Sequence, residues 1–145
     1  MASSTHGVTP HPTRRVLLRA TGMAALGSGA AVAVVHLTAT AAGDSLAVTA
    51  PGTTTPAGVP LAVAVIAALI GAVAGGVLAA LLARTPRPRP LFVALTAIGL
   101  VLSFGSPFGA ASTTATALWL CVMHGAVAAV TIPVLARALP LERAR

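Results

Sequence analysis

The side chains of this chain that could do chemistry are few, and apolar neighbours surround them: His36, the Cys121-x-x-His124 step, then Thr131 and Pro133. Three chemistries fit those types and spacings. Two imidazoles from different helices could ligate one b-type haem iron, provided both rings aim at it. A thiol and an imidazole three residues apart share a helix face and would accept a soft ion such as Cu(I), although two ligands make a poor site and Met123 is expected to point elsewhere. Histidine can also carry protons near neutral pH. The plainer alternative is structural. A neutral histidine inside a membrane bundle hydrogen-bonds a hydroxyl or a carbonyl on a neighbouring helix, a contact worth about 0.6 kcal/mol and at most about 1–2 kcal/mol. The structural role is the expectation for His36 and His124, with no cofactor and no metal. Nothing points to an enzyme: the sequence has no Ser/His/Asp grouping, no phosphate-cradling glycine loop and no paired carboxylates. Its two acidic residues, Asp44 and Glu142, are expected on opposite sides of a membrane.

The elements that must position these residues follow from composition. The chain has 145 residues, 57% of them hydrophobic and 8% charged, with mean hydropathy +0.95. So few charged side chains cannot cover a soluble fold of this composition, so lipid must be the solvent. Four uncharged apolar stretches, 20–42, 59–83, 91–107 and about 113–136, predict spans at about 16–42, 59–83, 91–107 and 113–138, an all-α, polytopic four-helix antiparallel bundle over 14–139. Arg14, Arg15 and Arg19, then Arg84, Arg87 and Arg89, then Arg137, Arg143 and Arg145 flank these stretches, all on the side that also holds both termini. The positive-inside rule therefore predicts both termini in the cytoplasm of a bacterial plasma membrane. The formal charge of +7 does not indicate nucleic acid, because the arginines mark helix ends; the partners expected are the bilayer and a membrane-protein partner or a second copy. A lone cysteine excludes an intramolecular disulfide.

Along the chain, residues 1–13 are expected to be a disordered cytoplasmic tail and 140–145 a second cytoplasmic tail. Arg14-Arg15-Val16-Leu17-Leu18 resembles a twin-arginine export signal, with Ala39-Thr40-Ala41 as a small-residue cleavage site, and cleavage would leave three spans. A retained first helix is the expectation, since no soluble passenger follows and the stretch is long enough to span. The loop 43–58, rich in Thr, Gly and Pro, is external, with an extended piece at 45–49. In the second span Ala67, Gly71, Gly75 and Ala79, flanked by Ala68, Ala72, Gly76 and Ala80, stack small residues on one face for close helix packing. The prolines of residues 84–90 predict a stiff polyproline-II turn. The third span looks short enough to stand upright or to thin the bilayer. In the fourth, Pro133 predicts a kink that frees the carbonyl near Ala129, with Thr131 available to satisfy it. At about 1.5 Å per residue, His36 lies roughly 9 Å and His124 roughly 15 Å from the outer surface, able to face each other if the first and last helices are neighbours.

From Leu102-Ser103-Phe104-Gly105-Ser106-Pro107 through Ser112-Thr113-Thr114 to Met123-His124-Gly125 and Ile132-Pro133, the chain resembles the DUF6069 family, small four-span membrane proteins of high-GC bacteria whose function is unknown. The resemblance extends over the membrane portion and includes Asp44-Ser45-Leu46-Ala47-Val48; it implies an integral membrane protein and no activity. The leading expectation is a non-enzymatic structural or interaction protein, and the runner-up a small permease or proton-conducting element that uses His36 and His124.

Overall fold

In hydrocarbon an unpaired peptide group costs several kcal/mol, so each apolar stretch closes its own backbone hydrogen bonds as a helix. A computed structural model describes residues 14–142. The tail expected at 1–13, Arg143 and Arg145 lie outside the described residues. The elements are α1 (Arg14–Ala41), β1 (Ala47–Val48), β2 (Ala57–Gly58), α2 (Leu61–Leu82), α3 (Pro88–Ser103), α4 (Gly105–Ala110) and α5 (Thr114–Ala138). They give four segments long and apolar enough to cross a membrane, the third formed by α3 and α4 together. Large apolar side chains cover the outside, Leu26 at 76% and Leu102 at 75% exposure among them. In water that surface would be untenable; in lipid it costs nothing.

The described arginines gather at one end. Arg14 and Arg84 border one hollow between α1 and α2, and Arg87 Nε lies 3.5 Å from the Glu142 carboxylate, joining the start of α3 to the chain beyond α5. That ion pair is well exposed and contributes little to stability.

Small side chains decide which helices meet. Helix α1 packs on both α2 and α5, burying Ala20, Ala24, Ser28, Gly29 and Val32, while α2 buries Ala68, Ala72, Gly76 and Ala79. Of the stripe expected to lead the packing face only Ala79 is buried, with Gly75 half-buried and Ala67 and Gly71 exposed; the flanking row Ala68, Ala72 and Gly76 is what turns inward. At Gly76 a Cβ would collide with the Thr21 side chain, so the α1–α2 approach there needs glycine. Dispersion contacts at this range supply the attraction that lipid cannot. Helix α3 stands apart: only its Pro88 and Phe92 are buried.

Three sequence expectations are corrected. Residues 88–90 are not polyproline II; α3 begins at Pro88, because proline in a first helical turn gives up no needed N–H and its fixed φ already suits a helix. The third span is not short. It runs over Pro88–Ala110, with a break at Phe104 where Pro107 has no N–H to continue the ladder to Ser103. Finally, Thr131 does not serve the backbone behind Pro133; its hydroxyl lies 2.9 Å from Ser28 Oγ on α1.

Gly76→Ala is expected to lower unfolding stability in detergent by about 1–3 kcal/mol through overpacking against Thr21. Gly71→Ala, where an added Cβ meets nothing within 4 Å, should be neutral or stabilising. Equal thermal midpoints for the two variants would contradict this packing.

Candidate functional site

Polar side chains are arranged in two places, a closed cap at the end of the bundle away from the arginines and a lateral groove. The cap starts at the end of α1. Gly43 takes φ +87°, and the N–H groups of Gly43 and Asp44 return to the carbonyls of Thr40 and Ala39, closing a Schellman turn that satisfies the last carbonyls of the helix. Asp44 Oδ1 then accepts from the Leu46 N–H at 2.7 Å and from the Thr116 hydroxyl at 2.8 Å. Thr113 caps α5 by accepting from the Thr116 N–H, and its own hydroxyl donates to Thr116 Oγ1 at 3.0 Å. One carboxylate thus ties the end of α1 to the start of α5. Leu46 sits at φ +49°, a strained conformation for a non-glycine residue, yet its side chain is 0% exposed among Val32, Ala39, Ala68 and Met123. Burying a leucine gains about 1.5–3 kcal/mol, enough to offset a left-handed backbone that costs about 1–2 kcal/mol. Over this plug β1 pairs antiparallel with β2, Ala47 opposite Gly58, and on its other side Val48 bridges Ala111.

His36 belongs to this cap. Its Nε2 donates to the Val59 carbonyl at 2.8 Å, where the chain enters α2. Nδ1 is buried without a hydrogen-bond partner among the described residues. The ring is a strut between α1 and α2.

The groove is different. Helices α2, α3 and α5, with Val32 of α1, border a half-open groove of about 610 Å³, because α3 does not close against its neighbours. Its walls are almost wholly apolar. The polar side chains on them are Thr96 and Ser103 of α3 and His124 and Thr131 of α5. Each has committed its proton or a partner. Thr96 donates to the Phe92 carbonyl and Ser103 to the Leu100 carbonyl, both at 2.7 Å, and Thr131 pairs with Ser28. His124 Nδ1 lies 2.7 Å from the Leu120 carbonyl, which can only accept, so Nδ1 carries the hydrogen; Nε2 has no hydrogen-bond partner among the described residues, and because a charge within a span is expensive, the ring offers it as a lone pair.

The two histidines are not brought together, although α1 and α5 are neighbours. Each bonds a different backbone carbonyl, and His36 is not on the groove, so a shared haem iron has no site between them. Cys121 is half-buried and outside the groove, whereas Met123, expected to point away, lines it beside His124. Among the described residues no three of His, Cys, Asp and Glu are grouped as metal ligands would be. Pro133 lies within an unbroken α5. The sequence singled out neither Ser28 nor Thr116, and it gave Asp44 no partner. Thr113 before an apolar run was a visible helix-start signal, and Ser28 a lone hydroxyl in an apolar stretch; the partners of Thr116 and Ser28 lie 72 and 103 residues away in pairs that no local pattern shows.

The chain belongs to a family of unknown function, DUF6069, whose model matches residues 12–140. No curated protein and no solved structure matches the chain.

Thr116→Val removes a buried donor from Asp44 and should cost about 1–3 kcal/mol. A double-mutant cycle on Ser28→Ala and Thr131→Val should return a coupling near 0.6 kcal/mol, the usual size for membrane interhelical bonds. Zero coupling together with a silent Thr116→Val would contradict the cap and the α1–α5 tie.

Proposed function

We propose that this protein is a non-enzymatic, multi-pass component of a bacterial plasma membrane, with both termini cytoplasmic, that binds a membrane-resident molecule in the α2–α3–α5 groove. The groove carries this reading. It falls in the volume range of small-ligand sites, about 300–1,000 Å³, and its lining comes from the middle stretches of helices long and apolar enough to cross a membrane, so lipid is its expected surrounding. Arginines at one end of the bundle support the orientation, since basic residues stay on the cytoplasmic face, where Arg14 and Arg84 meet anionic headgroups.

Transport has less support. The residues lining the groove include no Asp, Glu, Lys or Arg, and coupled transport ordinarily relies on such a group within the span. A partner helix or a second copy would pack on the outer lipid faces, not in the groove. Between Val63 and Leu78 the α2 wall runs about 22 Å, so 610 Å³ open to the centres of water-sized groups averages to a channel about 9 Å across between wall surfaces, against about 10–12 Å for a helix with its side chains.

Native mass spectrometry of the protein released from mild detergent should show one bound lipid-sized molecule per chain. The adduct should disappear in Gly99→Leu, whose side chain enters open space in the groove. A bare wild-type chain, or a His124-dependent proton flux in liposomes, would overturn the reading in favour of a permease.

A further inference from the structure

We infer that the groove occupant is an uncharged lipid with a single long hydrocarbon chain and a hydroxyl group, held by donation of that hydroxyl to His124 Nε2. The inference rests on the binding reading above and adds the chemistry of the ligand. Three observations lead to it.

The first is shape. A groove about 22 Å long and about 9 Å across between wall surfaces suits an extended chain whose carbons sit about 3.5–4.0 Å from the wall atoms, and it is narrower than a helix with its side chains. Gly71 and Gly99 leave room on opposite walls, since a Cβ at either would meet nothing within 4 Å. Branching methyls of an isoprenoid chain would find space there.

The second is hydrogen-bond polarity. Thr96 and Ser103 have given their protons to their own helix, and His124 has given its Nδ1 hydrogen to Leu120. What remains facing the groove is lone pairs. A ligand that offers only acceptors, such as an ester, an ether or a quinone, gains nothing from them, whereas an alcohol or a phenol supplies the missing donor.

The third is depth. His124 is ten residues into α5 from Thr114, about 15 Å below the outer end of the helix and so close to the middle of a hydrocarbon core about 30 Å thick. A phospholipid cannot bring its charged headgroup there, because a charge at mid-bilayer is expensive. A neutral alcohol or phenol can sink to that level. The class is therefore a fatty or isoprenoid alcohol, or a phenol carrying such a chain.

The test uses the full chain in detergent and hexadecanol carrying a photoreactive diazirine in mid-chain. Adducts should map to groove residues of α2 and α3. Unlabelled hexadecanol should compete about tenfold better than hexadecyl methyl ether, which has the same chain and no donor. His124→Leu should shrink that preference below about twofold while ether competition is kept, and its thermal midpoint should match wild type because the ring is exposed. Gly99→Leu should abolish labelling. If the ether or phosphatidylglycerol competes as well as the alcohol, or if His124→Leu keeps the full preference, the assignment of a hydroxyl donor is overturned, while loss of labelling in Gly99→Leu would leave the groove as a binding site. If Gly99→Leu labels like wild type, both readings fall.

Discussion

Lipid offers a polar group no hydrogen-bond partner, and that constraint shapes every part of this molecule. Most side-chain hydroxyls described in the spans turn back on their own helix or meet another hydroxyl: Thr21 on Leu17, Thr38 on Val34, Thr96 on Phe92, Ser103 on Leu100, and Ser28 with Thr131. Charged side chains, which have no such option, leave the membrane interior altogether. The same constraint limits what can hold the helices together. With no water to expel between them, association depends on close packing of small residues, and α1 accordingly nestles between α2 and α5 through alanine, serine and glycine.

The bundle divides on that basis. Helices α1, α2 and α5 form the tight part, pinned at the end away from the arginines by the Asp44 carboxylate, the Leu46 plug and the His36 strut. Helix α3 presents larger side chains and buries few of them, so the contact it fails to make becomes the groove. Rigidity on one side and a gap on the other are two results of where the small residues fall.

The spans, the arginine end and the small-residue face of α2 were legible in the sequence, because each is a local pattern of residue type against helix period or membrane thickness. The ends of the third span were not. Pro88 reads as a breaker by composition but acts as a helix starter by position, and Pro107 interrupts a ladder that the apolar run alone would have ended there. Partners were the least legible. His36 and His124 stood out as rare polar residues in apolar surroundings, yet nothing local says that one faces the Val59 carbonyl and the other a groove. Asp44 looked like a loop charge and proved to be the tie between the first and last helices, a relation fixed only once the chain has folded back on itself.

The arrangement of the bundle in the membrane underlies all of this, and single cysteines test it most directly. In a Cys121→Ala background, Thr53→Cys in the loop that joins β1 to β2 and Pro86→Cys in the turn before α3 place one thiol at each end of the bundle. An impermeant maleimide added to intact cells should label Thr53→Cys at once and Pro86→Cys only after the membrane is opened. Labelling in the reverse order, or of both thiols in intact cells, would contradict the account.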